Sequence, residues 1–304
     1  MVEYTAMKIF CLRPRCLYIT LNLLFSFLLC SSLHADNKGY RVSIIPTPVL
    51  NTPDFSSVFG GSDGKTVKLD QSGLIREMEY IALPGTVFEI ENSYPENGHS
   101  ILKVRTSDYP SGNGLYIDSR FVRYTEERPP ERTRILPPAE VILRRMSSME
   151  GAPYMWGGNI REGVAKMTEF YPPSGRIDET TRRLWRLEGV DCSGLLYQAA
   201  DGYTPRNTSS LVNYGSGLNI AGLSAKQISL MLRPLDLIVW SGHVIIVFDE
   251  QTVIESSGQG GVKRSNLRKK LEGLVSERVP VNNWNSADGK RFVIRRWYPA
   301  ERDR

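Results

Sequence analysis

Residues 126–138 (EERPPERTRILPP) split this chain into two parts with different patterns. Proline has no N–H for a sheet ladder and does not fit a helix interior. A charged segment with prolines at 129, 130, 137 and 138 therefore reads as a stiff linker. Before it, residues 40–125 carry short apolar runs at 40–45, 66–69, 86–90, 100–104 and 115–117. Clusters such as Gly60-Gly61-Ser62-Asp63-Gly64 separate them. Short strands at that spacing predict a small all-β barrel. His99 falls in an expected turn there and reads as a surface residue. After the linker, residues 139–149 have helical spacing, and a second helix is expected from Asp178 as its cap to Gly189 as its stop. Strands are expected at 235–240, 243–248, 252–256 and 291–297. Helices followed by an antiparallel sheet is the α+β pattern.

The N-terminus predicts export. Lys8, Arg13 and Arg15 precede an apolar stretch, 17–30, and Leu33-His34-Ala35 offers a cleavage site before Asp36. Residues 1–35 are thus read as a signal peptide, with an uncleaved anchor as the alternative. The apolar run is short for a membrane span and contains Asn22, so no stable span is expected in the mature chain. The signal accounts for part of the formal charge of +5. The remainder is too weakly basic to suggest a nucleic-acid partner, although it would not oppose an anionic polymer.

Cysteine usage is sharper. Cys11, Cys16 and Cys30 lie in the signal, which leaves Cys192 alone in the mature chain, without a partner for an internal disulfide. It is either an inert core residue or a reactive thiol. In Val190-Asp191-Cys192-Ser193-Gly194-Leu195-Leu196, Asp191 is a good N-cap, and apolar residues follow at helical spacing. A helix start would favour a thiolate at Cys192 and could supply N–H groups to an oxyanion. A nucleophile of this kind needs a base, usually His. His243 opens the strand-like run Gly242-His243-Val244-Ile245-Ile246-Val247-Phe248; alone it could equally be a half-buried strand histidine. If the next hairpin is symmetric about Asp249, position 243 lies opposite 255, and Glu255 would orient the imidazole. A one-residue slip would remove that contact. One Cys and two His make a poor metal set, so no metal and no cofactor are expected.

Four ordered motifs resemble the NlpC family of papain-like cell-wall cysteine peptidases over roughly 138–300. They are Gly151-Ala152-Pro153-Tyr154-Met155-Trp156-Gly157-Gly158, Asp191-Cys192-Ser193-Gly194, Arg233-Pro234-Leu235-Asp236-Leu237-Ile238 and Gly242-His243-Val244. The resemblance implies Cys192 as nucleophile, His243 as base and Glu255, twelve positions on, as its orienting partner. It implies that Tyr154 stands close to the nucleophile, and it puts Trp156, Asp191, Ser193 and Asn207 among the substrate-contacting residues. The first part, notably Gly114-Leu115-Tyr116-Ile117-Asp118-Ser119-Arg120-Phe121-Val122, is similar to bacterial SH3-like domains. The organisation expected is therefore a signal at 1–35, an SH3-like barrel at 40–125, a linker at 126–138 and a peptidase domain at 139–300.

That reading implies an exported hydrolase in the periplasm or cell envelope. It would cut peptidoglycan or muropeptide stems at the γ-D-glutamyl–diaminopimelate bond through a thioester. An amidase cutting between muramic acid and L-Ala, an acyltransferase on the same scaffold, and a non-catalytic wall-binding protein are the alternatives. Two departures from the family pattern stand out. Residues 160–189 form a longer insertion than simple members have. Asn207 stands where members that prefer a free peptide amine carry Asp, and it lacks the charge to pair an ammonium.

Overall fold

The computed structural model describes residues 39–286 and 289–299; the signal reading of residues 1–35 lies outside them. The first part is a seven-stranded antiparallel sheet. Its strands are β1 (Tyr40–Ser43), β2 (Thr47–Leu50), β3 (Met78–Ala82), β4 (Val87–Glu96), β5 (His99–Arg105), β6 (Leu115–Asp118) and β7 (Val122–Thr125). Their spatial order is β3-β2-β6-β5-β4-β1-β7. The expected run at 66–69 is outside this sheet: Thr66–Val67 pairs with Phe59–Gly60 in a small ladder. β2 and β3 had no clean signature, because Pro48 and Glu79 interrupt their apolar runs. His99 is not in the turn either. It begins β5, and its side chain is largely covered, with Nε2 3.1 Å from Glu96 and 3.7 Å from Asp118.

The second part contains α1 (Ala139–Ser148), α2 (Glu179–Trp185), α3 (Cys192–Ala199), α4 (Ala225–Met231) and α5 (Leu267–Glu277). Its sheet runs β8 (Ser216–Gly217), β13 (Arg291–Arg296), β9 (Leu237–Trp240), β10 (His243–Val247), β11 (Thr252–Ser257) and β12 (Gly261–Asn266), in that spatial order. Alternation gives this sheet two buried faces. Val244, Ile246 and Ile254 pack with α1 and α3; Ile245, Val247 and Val253 pack with α4 and α5. No helix among the described residues is long and apolar enough to cross a membrane.

The insertion packs on the first sheet. Val164, Met167, Tyr171, Trp185 and Leu187 share one apolar core with residues such as Phe55, Tyr80 and Phe121. The Tyr171 hydroxyl donates to Asp118 at 2.6 Å, and Trp185 Nε1 donates to the Tyr171 carbonyl at 2.8 Å. The two parts therefore belong to one compact unit. The helix expected to stop at Gly189 ends at Trp185. Asp178 does cap it, accepting from Thr181 N, but Leu187 takes φ of 57° and leaves the helical path. Gly189 instead enters a two-residue strand opposite Ile160. Its φ is 125°, and a side chain there would strike the Pro153 carbonyl.

Candidate active site

Asp191 fixes the start of α3. Its Oδ1 accepts from Gly194 N at 2.7 Å, which places Cys192 as the first helical residue. The cap is held in turn. Gly157 N donates to Asp191 Oδ2 at 3.1 Å, and Asp191 N donates to the Gly158 carbonyl at 2.9 Å. Gly158 and Gly194 lie so close that a Cβ on Gly194 would overlap the Gly158 carbonyl. The Trp-Gly-Gly and Asp-Cys-Ser-Gly segments therefore pack backbone to backbone, with no room for a side chain between them.

Arg206 completes this arrangement. Its guanidinium donates to Asp191 Oδ1 at 2.9 Å and Oδ2 at 2.7 Å, to Ser193 Oγ at 2.9 Å, to Gly158 O at 3.1 Å and to Asn159 Oδ1 at 3.1 Å. Asn159 continues the chain of contacts into the first sheet. It accepts from Ile81 N and donates to Ile81 O, both at 2.9 Å. Sequence reasoning placed Asp191 and Ser193 among substrate contacts. The structure places both inside the protein, with their oxygens engaged by Arg206, by each other and by the helix N-terminus. Arg206 and Asn159 had no assigned role, because neither neighbours Cys192 in sequence.

The Cys192 thiol is free and buried. Burial pushes its pKa up to about 12, and the Asp191 charge adds to this; N–H groups of Val244 and Ser193 and the Arg206 charge pull the other way. The thiolate expected from the helix start is therefore not the resting form: desolvation outweighs the helix dipole. Burial, with the charge of Asp191 adding to it, pushes the Tyr154 hydroxyl pKa up, so it stays a protonated donor. Trp156 packs against the first core with the Arg76 guanidinium 4.2 Å from its ring centroid. Asn207 lies on the rim of a cavity of about 280 Å³, together with Tyr109, Arg134, Tyr203 and Tyr214.

His243 follows the two-residue turn Ser241-Gly242, whose Gly242 N donates to Thr208 Oγ1 at 3.0 Å. The His243 Nε2 and Glu255 Oε2 are 2.8 Å apart. The register behind this contact differs from the symmetric hairpin. Ile246 pairs with Ile254 and Val247 with Val253, so the hairpin centres on Glu250 rather than Asp249 and Glu255 comes opposite Ile245. The Asp249 carboxylate accepts from Gln251 N and Thr252 N and sets that turn. A shift of two residues keeps each side chain on its face, so His243 and Glu255 remain diagonal neighbours. The Glu255 carboxyl is raised by burial, but the hydrogen bond from His243 and the Lys270 ammonium outweigh this and hold it below its ordinary value. As an ionised acceptor it takes a hydrogen bond from Nε2–H, which keeps its proton, and leaves Nδ1 as the basic nitrogen.

The two halves of the site meet at β10 from opposite sides. Cys192 packs with Val244 and Ile246, and its sulfur faces the Val244 N–H. His243 and Glu255 share the other face with Ile245, on a groove of about 360 Å³ that also borders Trp240 and α5. None of the site's hydrogen bonds runs from the sulfur to the imidazole; the residue that the sulfur touches is the neighbour of His243. Ser256 Oγ ties the Glu255 strand to the α3 side by donating to Val190 O at 2.7 Å. Among the described residues, no group of three His, Cys, Asp or Glu side chains is gathered to hold a metal ion.

No family model matches this chain, and no curated protein matches it. Among solved structures it is similar to a NlpC/P60 family protein from Bacillus cereus ATCC 10987, at 14% identity and a TM-score of 0.33. That match covers 86% of this chain and 64% of the other, so the chain spans less than two thirds of that protein's length. It is also similar to the P60 domain of an antigen from M. avium paratuberculosis, at 19% identity and a TM-score of 0.29, covering 44% of this chain and 86% of the other.

Proposed function

We propose that this chain is an exported cysteine peptidase of cell-wall peptide stems, with Cys192 as nucleophile, His243 as base and Glu255 as its orienting partner. The observation that carries this reading is the 2.8 Å contact that fixes the His243 tautomer on a strand whose next residue, Val244, turns its N–H to the free thiol at the start of α3. On this reading the neutral thiol loses its proton to His243 Nδ1 as the sulfur attacks the amide carbonyl. The first-turn N–H groups of α3 and the Tyr154 hydroxyl stabilise the oxyanion. His243 returns the proton to the leaving amine. Water, deprotonated by the same imidazole, then hydrolyses the thioester and the thiol is restored. From the sequence resemblance, the substrate is peptidoglycan or a muropeptide, the bond is γ-D-glutamyl–diaminopimelate, and the first sheet is an SH3-like module.

Digestion of purified wall fragments, read by mass spectrometry, tests this. Cys192→Ala is expected to lower product release about 10³-fold or more while wall binding survives. Full turnover by that variant would refute the mechanism, and cleavage only between muramic acid and L-Ala would make the protein an amidase. One observation favours a second reading, a wall-binding protein without catalysis: the sulfur is buried and has no hydrogen bond to the imidazole. That reading expects binding by wild type and variant alike, with cleavage by neither.

A further inference from the structure

We propose that Lys270 is a positioning residue for the imidazole: its ammonium holds the second oxygen of Glu255 and offsets the carboxylate charge that faces His243. The role of this imidazole as a base rests on the reading above; the charge arrangement does not.

Glu255 has two oxygens and two partners. Oε2 faces His243 at 2.8 Å, and Oε1 is paired with Lys270 Nζ on α5. The carboxylate side chain is only 4% exposed, His243 is 19% exposed and Lys270 30%. An unbalanced carboxylate in such a place would stabilise imidazolium. An imidazolium, with protons on both ring nitrogens, cannot take one from a thiol. With Lys270 in place, the carboxylate charge is balanced from its far side, and it can orient His243 while stabilising imidazolium less.

The placement of Lys270 follows from the way α5 docks. Asn266 caps the helix, accepting from Lys269 N at 2.9 Å, and Leu267, Leu271 and Leu274 bury its apolar face against the sheet. Other charged groups surround Glu255 without replacing Lys270. Lys263 lies opposite Glu255 on β12, but its ammonium sits beside Gly260. Arg278 stacks over the Trp240 ring at 4.4 Å, and Lys269 and Glu277 border the groove at the helix surface. Trp240 covers the imidazole itself, with ring centroids 5.2 Å apart. Among the described residues, Lys270 supplies the one ammonium or guanidinium group in ion-pair contact with Glu255.

The test is an NMR titration of the His243 ring in the full chain, its signals identified by their loss in His243→Gln. In Lys270→Met the midpoint is expected to rise by about one pH unit. Lys270→Arg, which keeps the charge, should stay near wild type. In a Glu255→Gln background, the Lys270→Met shift should fall to less than half. Should Lys270→Met fail to fold, Lys270→Gln carries the same expectation. An unchanged or lowered midpoint overturns the proposal, and so does an equal rise in Lys270→Arg. In parallel, the acidic limb of the kcat/KM profile should move up with the NMR midpoint, a shift that lost packing alone would not produce. A wild type that cuts no wall peptide defeats the peptidase reading, while the ring titration still decides the role of Lys270.

Discussion

The Arg206–Asp191 cluster and the Lys270–Glu255–His243 cluster are both ion pairs beside the candidate site, and they are built in opposite ways. In the first, the side chains of Arg206 and Asp191 are 2% and 11% exposed, and backbone and side-chain partners take up their hydrogen-bonding groups. In the second, exposure rises stepwise from the carboxylate to the imidazole to the ammonium, beside an open groove. A closed cluster has a fixed charge state and can only hold a shape. A cluster open at one end can exchange protons. The difference gives the α3 side of β10 a closed, shape-holding cluster and leaves the cluster on the α5 side open to proton exchange, as the proposed function requires.

The largest effect should come from the closed cluster. Arg206→Met leaves the Asp191 charge buried without its partner, which costs about 3–5 kcal/mol. Denaturant unfolding would measure this. Arg206→Lys should recover only part of it, because an ammonium cannot reproduce the guanidinium contacts to Asp191, Ser193, Gly158 and Asn159. A loss under about 1 kcal/mol would mean that the cluster behaves like an exposed pair and is not closed in the way its burial implies.

How much of this was readable in the sequence depended on range. Local signals held: Asp191 caps α3, Cys192 opens it, and Asp178 caps α2. The pairing of His243 with Glu255 survived an error in register, because parity along a strand is more robust than the turn that sets the offset. The turn itself could not be read, since Asp249 bonds two backbone N–H groups only once the chain has already bent. Arg206, Asn159 and Lys270 were invisible for a different reason. Each meets its partner only after separate elements have docked, and no spacing rule links Lys270 to position 255 or Asn159 to position 81.

A middle-sized effect tests whether the closed cluster also joins the two parts of the chain. Asn159 makes two hydrogen bonds to Ile81 in β3 and one to Arg206. Asn159→Ala would strand a buried N–H, a buried carbonyl and one guanidinium donor, at a cost of about 1–3 kcal/mol. Hydrogen exchange should locate the loss: Ile81 N–H should exchange faster, while the His243 strand keeps its protection. Equal loosening of β10 would show that the two clusters are one unit.

The smallest effect concerns the buried thiol at the start of α3. Its folded pKa of about 12 exceeds the usual thiol value of about 8.5. The sign follows from linkage: a group raised on folding binds its proton more tightly in the native state. Its contribution to stability is complete below the unfolded pKa and fades as pH rises toward the folded value. The stability gap between wild type and Cys192→Ala should therefore stay constant from neutral pH to about pH 8.5, then shift against the wild type as pH climbs further. Alkylation of Cys192 at neutral pH should likewise be slow, since the thiol is buried and protonated at rest. Denaturant midpoints at rising pH, with parallel iodoacetamide rates, measure both. A gap that never changes, or a thiol alkylated as fast as an activated thiolate, would show that folding does not hold the sulfur protonated and shielded. Proton transfer to His243 would then precede substrate binding instead of accompanying attack.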